Sequence, residues 1–177
     1  IFFISDNGGP TKELTSSNLP LRDGKGSVYE GGIRIPYLVQ WKGQLRGNRT
    51  YDYPVTSLDI FSTALAVSKS NRRTDRIYDG VNLIPHLTGE TTQRPHVELF
   101  WRQGAKTALR QEDWKLLRNP RRGQSNAWEL YDLSKDTSEQ NNLASTYPQK
   151  LTELEQTWKQ WNDQMIPPVW SPRSRAN

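Results

Sequence analysis

Apolar residues fall into short separate runs along this chain, and the spacing within each run predicts a different element. Ile1-Phe2-Phe3-Ile4 is continuous and too short for a helix, so it reads as a strand buried on both faces, a type that requires parallel neighbours. Ile35 and the run Tyr37-Leu38-Val39-Gln40-Trp41 read as a second strand, ended by Lys42-Gly43. From Thr56 or Ser57 as a cap, Leu58, Phe61 and Leu65 follow helical spacing toward Val67, with Asp59 placed to interact with the helix dipole. Ser68 to Asp79 is charged and turn-like.

Further along, the pattern changes to short strands in succession. Glu98 to Arg102, Lys106 to Gln111, Trp114 to Arg118 and Ala127 to Leu133 are rich in aromatic and aliphatic residues and are separated by polar or glycine-containing turns. They predict a small antiparallel sheet. A final helix starting near Pro148 places Leu151, Leu154, Trp158, Trp161 and Met165 at intervals of 3, 4, 3 and 4, an apolar stripe suited to packing on that sheet. The last ten residues read as a loose tail.

Between the first two strands lie the residues with the most chemistry. Ser5-Asp6-Asn7-Gly8-Gly9-Pro10 follows the first apolar run, so Asp6 and Asn7 sit at the carboxyl end of a strand, where open α/β sheets bind ligands. A carboxylate and an amide oxygen suit a hard cation such as calcium or magnesium. Gly24, Gly26, Gly31 and Gly32 surround Lys25, whose flexible ammonium suits an oxyanion, and glycine lets backbone come close to a ligand. The same residues also satisfy a plainer account, since Asp-Asn-Gly-Gly is ordinary turn chemistry and a lysine between glycines suits a solvated loop tip.

Composition narrows the partners. Lys+Arg number 24 against 19 Asp+Glu, a net charge of +5, which favours anionic ligands. The basic residues are scattered and not gathered on one face, which argues against nucleic acid. No run is long enough to span a bilayer, and the absence of cysteine excludes disulfides. Of the seven tryptophans, Trp114, Trp128, Trp158 and Trp161 fall on elements that need bulk for packing, while Trp101-Arg102 is better placed to line a pocket. His86 and His96 match no metal-ligand spacing, and the basic cluster Arg118 to Arg122 reads as a solvated turn.

The ordered set of short motifs resembles the later half of the formylglycine-dependent (type I) sulfatases. Ser-Asp-Asn-Gly-Gly after an apolar strand is followed by Pro20-Leu21-Arg22, Gly24-Lys25-Gly26 and Glu30-Gly31-Gly32-Ile33-Arg34-Ile35-Pro36. The resemblance continues through Ser57-Leu58-Asp59-Ile60, Asp79-Gly80-Val81-Asn82-Leu83, Trp114-Lys115-Leu116-Leu117 and Glu129-Leu130-Tyr131-Asp132-Leu133. It implies an α/β fold, the rear part of an alkaline-phosphatase-like α/β sandwich followed by a small antiparallel sheet with a packed C-terminal helix. By this likeness residues 1–97 would belong to the catalytic α/β domain and 98–177 to a C-terminal α+β subdomain. Asp6 and Asn7 would be two ligands of a divalent cation, calcium with magnesium as second choice, and Lys25 would contact the sulfate.

The resemblance also defines what the chain does not contain. There is no cysteine and no Ser-x-Pro-x-Arg, the segments whose first residue becomes formylglycine in this family; Ser171-Pro172-Arg173 lacks the spacers. The expectation is a segment of a sulfuric ester hydrolase with the formylglycine in an upstream part, inactive by itself, acting on a sulfated small molecule or carbohydrate. A periplasmic, secreted or lysosomal location would fit the family. The alternatives are a phosphoester or phosphonate hydrolase of the same superfamily, and a noncatalytic remnant that binds sulfated ligands.

Overall fold

The computed structural model describes residues 1–13, 16–120 and 126–167. In chain order its elements are β1 (Phe2–Ile4), a 3-10 turn (Thr11–Glu13), α1 (Glu30–Ile33), β2 (Tyr37–Val39), α2 (Leu58–Val67) and α3 (Ile84–Thr88). Then come β3 (Glu98–Gln103), β4 (Lys106–Gln111), β5 (Trp114–Arg118), β6 (Glu129–Asp132) and α4 (Pro148–Asn162). They divide into two compact units that are not continuous in sequence: Ile1–Ser5 with Pro36–Val97, and Asp6–Ile35 with Glu98–Asn177.

In the first unit β1 and β2 form an antiparallel ribbon, with Phe3 opposite Leu38 and Ile4 opposite Tyr37. This differs from the doubly buried, parallel strand that the apolar run predicts. Side chains alternate between the faces of a strand, so Phe2, Ile4, Tyr37 and Val39 share the half-buried face. Phe3 and Leu38 point the other way and are 69% and 56% exposed.

The start of α2 is fixed by a reciprocal cap. Thr56 Oγ1 accepts from the N–H of Leu58 at 3.1 Å, and Asp59 Oδ2 accepts from the N–H of Thr56 at 2.7 Å. Asp59 is fully buried and does more than meet the dipole. Its Oδ1 also accepts from the N–H of Val81 at 2.9 Å, and His96 Nε2 lies 2.9 Å and 3.0 Å from its two oxygens. Asp59 therefore ties the helix start to the chain at residues 81 and 96, and His96 is a packing residue, as its lack of ligand spacing suggests.

The second unit is built on the four-stranded antiparallel sheet β3-β4-β5-β6. Alternation along its strands produces two buried faces. Leu109, Leu116 and Leu130, all fully buried, point to one face and pack with Leu154 and Trp158 of α4. Each such leucine contributes about 2 kcal/mol of burial free energy. Phe100 stacks on Trp161 with ring centroids 4.7 Å apart, and Trp128 meets Trp158 edge-on at 5.6 Å. The apolar stripe of α4 is thus used up to Trp161, while Met165 lies past the helix and is 39% exposed. Tail residues 168–177, with Ser171-Pro172-Arg173, lie outside the described residues.

The opposite face carries Ala108, Lys115, Leu117, Glu129 and Tyr131, and it packs on Val28 and Tyr29 from the glycine-rich segment. Trp101 is half-buried and packs against this cluster. Arg102 donates to Asn162 Oδ1 and to the carbonyl of Ile166, both at 2.6 Å. One sheet therefore supports α4 on one side and the lysine-bearing loop on the other.

Candidate active site

The turn after β1 and the glycine-rich loop are clipped together through their backbones. Gly8 N–H donates to the carbonyl of Gly32 at 2.9 Å, and Lys25 N–H donates to the carbonyl of Gly9 at 3.1 Å. Glycine is required at the crossing, because a Cβ on Gly8 would lie 1.7 Å from the Gly31 carbonyl oxygen. Asn18 completes the clip: its Oδ1 accepts from Gly9 N–H at 2.9 Å, and its Nδ2 donates to the carbonyls of Gly9 and Asp23, each at 3.0 Å. Asp6, Asn7 and Lys25 are thereby carried by one compact unit although Asn7 and Lys25 are 18 positions apart in the sequence.

Within this frame Asp6 and Lys25 are solvent-exposed and Asn7 is half-buried. Lys25 lies between buried Gly24 and exposed Gly26, whose φ of 81° only glycine adopts without strain. Asp6 and Asn7 offer adjacent hard oxygen donors, which fits part of the six to eight that calcium takes. Among the described residues, no group of three or more His, Cys, Asp or Glu side chains converges as a metal site.

The sheet holds the loop from below. Arg22 at its start donates to the Tyr131 hydroxyl at 3.0 Å and to the carbonyl of Glu139 at 2.9 Å, and its guanidinium lies 3.9 Å from the Tyr29 ring centre. Glu129 accepts from two phenols, Tyr29 at 2.7 Å and Tyr131 at 2.5 Å. Burial, reinforced by these bonds to the carboxylate, pushes both hydroxyls well above the ordinary tyrosine pKa. Further along, Asn119 donates to Ser27 Oγ at 3.1 Å and Lys106 donates to the carbonyl of Gly26.

At the loop's end Glu30 is 3% exposed, and its Oε1 lies 2.7 Å from Nζ of fully buried Lys115. Lys115 is also 2.7 Å from Oε1 of Glu139, and Glu139 Oε2 accepts from the N–H of Glu30 at 2.6 Å. Burial raises the Glu139 carboxyl above the usual range, opposed by Lys115. None of Asn18, Glu129, Lys115 or Glu139 is an obvious site residue in the sequence. Lys115 and Glu129 do fall within the short motifs at 114–117 and 129–133, and strand alternation puts Glu129 on the face of Tyr131; Asn18 and Glu139 lie in irregular segments that offer no such signal. Of the basic cluster, Arg118 stacks over Trp128 at 4.0 Å, and Arg121 and Arg122 lie outside the described residues.

Comparison with known proteins points in one direction. A family model, Sulfatase, matches residues 1–70. An uncharacterized sulfatase of Schizosaccharomyces pombe is 31% identical over 151 residues, covering 81% of this chain and 27% of that protein. Mouse steryl-sulfatase is 35% identical over 107 residues, 56% of this chain and 17% of that protein. Human N-acetylgalactosamine-6-sulfatase is 35% identical over 108 residues, 59% of this chain and 20% of that protein. The crystal structure of Ps i-CgsB in complex with k-i-k-neocarrahexaose superposes with a TM-score of 0.82 at 27% identity, covering 96% of this chain and 38% of that one. The chain spans less than a third of the length of these curated relatives.

Proposed function

Because this chain belongs to the sulfatase family, we propose that it supplies the cation-binding turn and the sulfate-contacting lysine of an enzyme that hydrolyses sulfuric esters. The observation that carries the reading is the backbone clip between Gly9 and Lys25, which brings the Asp6-Asn7 turn and the lysine loop into one frame.

In this reading Asp6 and Asn7 hold a divalent cation, calcium by its preference for several oxygen donors, which when bound would neutralise charge on the sulfate oxygens. Lys25 reaches the sulfate from the other loop. Its ammonium stabilises negative charge that grows on the transferring group and on the departing oxygen. Exposure suits this role, since a lysine with no side-chain partner among the described residues, set between Gly24 and Gly26, can follow the sulfate as the ester bond lengthens. The substrate class is a sulfated carbohydrate or small molecule, in keeping with the names of the relatives and with the chain's positive charge.

The 177 residues contain neither Cys-x-Pro-x-Arg nor Ser-x-Pro-x-Arg, so they act jointly with a segment that bears the nucleophile and have no turnover alone. The test is to assay the chain alone, and joined to such a segment from a relative, on matched sulfate and phosphate monoesters. Sulfate release by the joined protein alone is the expected result. Preferential phosphate release would replace the reading with a phosphoester hydrolase, and release by the isolated chain would refute the shared-site account.

A further inference from the structure

Glu139 touches both ends of the lysine loop. Its backbone carbonyl accepts from Arg22 at 2.9 Å, and its carboxylate accepts from the N–H of Glu30 at 2.6 Å while pairing with Lys115 at 2.7 Å. Lys115, from the middle of β5, pairs in turn with Glu30 at 2.7 Å, and both Lys115 and Glu139 are fully buried. The residue that makes these contacts is held in a backbone conformation unusual for it: Glu139 has φ 54°, in the left-handed region that side chains other than glycine, asparagine and aspartate seldom occupy.

A buried ion group of this kind is a poor way to gain stability, since apolar side chains of similar volume do as well or better. It is a good way to fix geometry, because only one placement of Glu30 satisfies Lys115 and Glu139 together. Between the anchors Ser27, Val28 and Tyr29 are buried against the sheet, but the tip is not: Lys25 and Gly26 are exposed, and among the described residues no atom would meet a Cβ at Gly26 within 4 Å.

We propose that Glu139 and Lys115 are positioning residues for Lys25, clasping the two ends of its loop so that the lysine is presented in one place. The inference rests on the reading of Lys25 as the sulfate-contacting lysine. Neither residue touches the substrate; both act through the loop.

The test has two parts. In the 177-residue chain, amide hydrogen exchange is compared for wild type, Glu139→Gln and Lys115→Met. The expected result is exchange faster by about tenfold or more at amides within residues 24–32, with protection of Leu109 and Leu116 in the sheet unchanged, as for a local opening. Unchanged loop exchange in both variants would overturn the proposal. So would loss of sheet protection in both, because the group would then be general core; if only one variant loses it, the other decides.

In the joined, sulfate-releasing protein, Glu139→Gln is combined with Lys25→Ala. A residue that works through Lys25 lowers kcat in the wild-type background and adds less than about twofold to the loss in Lys25→Ala, whereas independent effects multiply. Multiplying losses would overturn the positioning role. If Lys25→Ala itself retains full turnover, the sulfate-contact reading falls while the exchange result still reports on the clasp.

Discussion

The backbone N–H of Lys25 donates to the carbonyl of Gly9 at 3.1 Å, so the lysine and the Asp6-Asn7 turn are registered to each other by main chain, with the Asn18 amide completing the link. Backbone registration tolerates few substitutions at the crossing. Any Cβ on Gly8 meets the Gly31 carbonyl, and any Cβ on Gly32 comes within 2.2 Å of the Ser27 carbonyl.

Gly8→Ala is therefore expected to destabilise the second unit by about 3 kcal/mol or more, the upper range for forced overpacking, because backbone and not a side chain must move. Denaturant unfolding followed by tryptophan fluorescence measures it, since the tryptophans at 101, 114, 128, 158 and 161 belong to this unit. A loss below about 0.5 kcal/mol, the size of an ordinary surface change, would mean that the crossing is looser than described.

Asp59→Ala removes a buried acceptor used by two backbone N–H groups and His96. The expected loss is about 3 kcal/mol, as for other disrupted buried networks, and it falls on the first unit. Asp59 here is structural, so cation content should be unaltered. Thermal unfolding and elemental analysis check the two halves of the statement; cation loss in a folded variant would contradict the purely structural role.

The alkaline limb of stability should depend on Tyr29 and Tyr131. Both phenols have folded pKa values raised above that of the unfolded chain, by burial and by Glu129. As pH rises past about 10, the unfolded chain releases protons that the folded chain keeps, so stability is intact below that pH and falls above it. The decline should be shallower in Tyr29→Phe. Unfolding midpoints across this range, with tyrosinate absorbance of the folded protein, measure it; normal titration of all tyrosines would contradict the shared-carboxylate geometry.

Much of the fold is legible in the sequence where one face of an element meets water or core in a regular period. The strands at 98–118 and 129–132 and the stripe from Leu151 to Trp161 are of this kind. The run Ile1 to Ile4 is not, since an apolar run gives the strand but neither its partner nor its direction; β2 pairs with it antiparallel. At the site, Asp6, Asn7 and Lys25 stand out by residue type. What joins them does not, because Asn18 acts through an amide in an irregular segment and Glu139 through a fold contact 109 residues from Glu30.

The most direct measurement of the central claim is divalent-cation content beside steady-state turnover for Asp6→Ala and Lys25→Ala in the joined protein. Lys25→Ala should keep its cation and lose roughly a hundredfold in rate, about 3 kcal/mol of transition-state stabilisation, the scale of one charge-stabilising donor. Asp6→Ala should lose both cation and rate, because a carboxylate ligand contributes to binding as well as to the reaction. Near-normal turnover of Lys25→Ala, or full cation occupancy of Asp6→Ala at limiting calcium, would contradict the assignment of these residues.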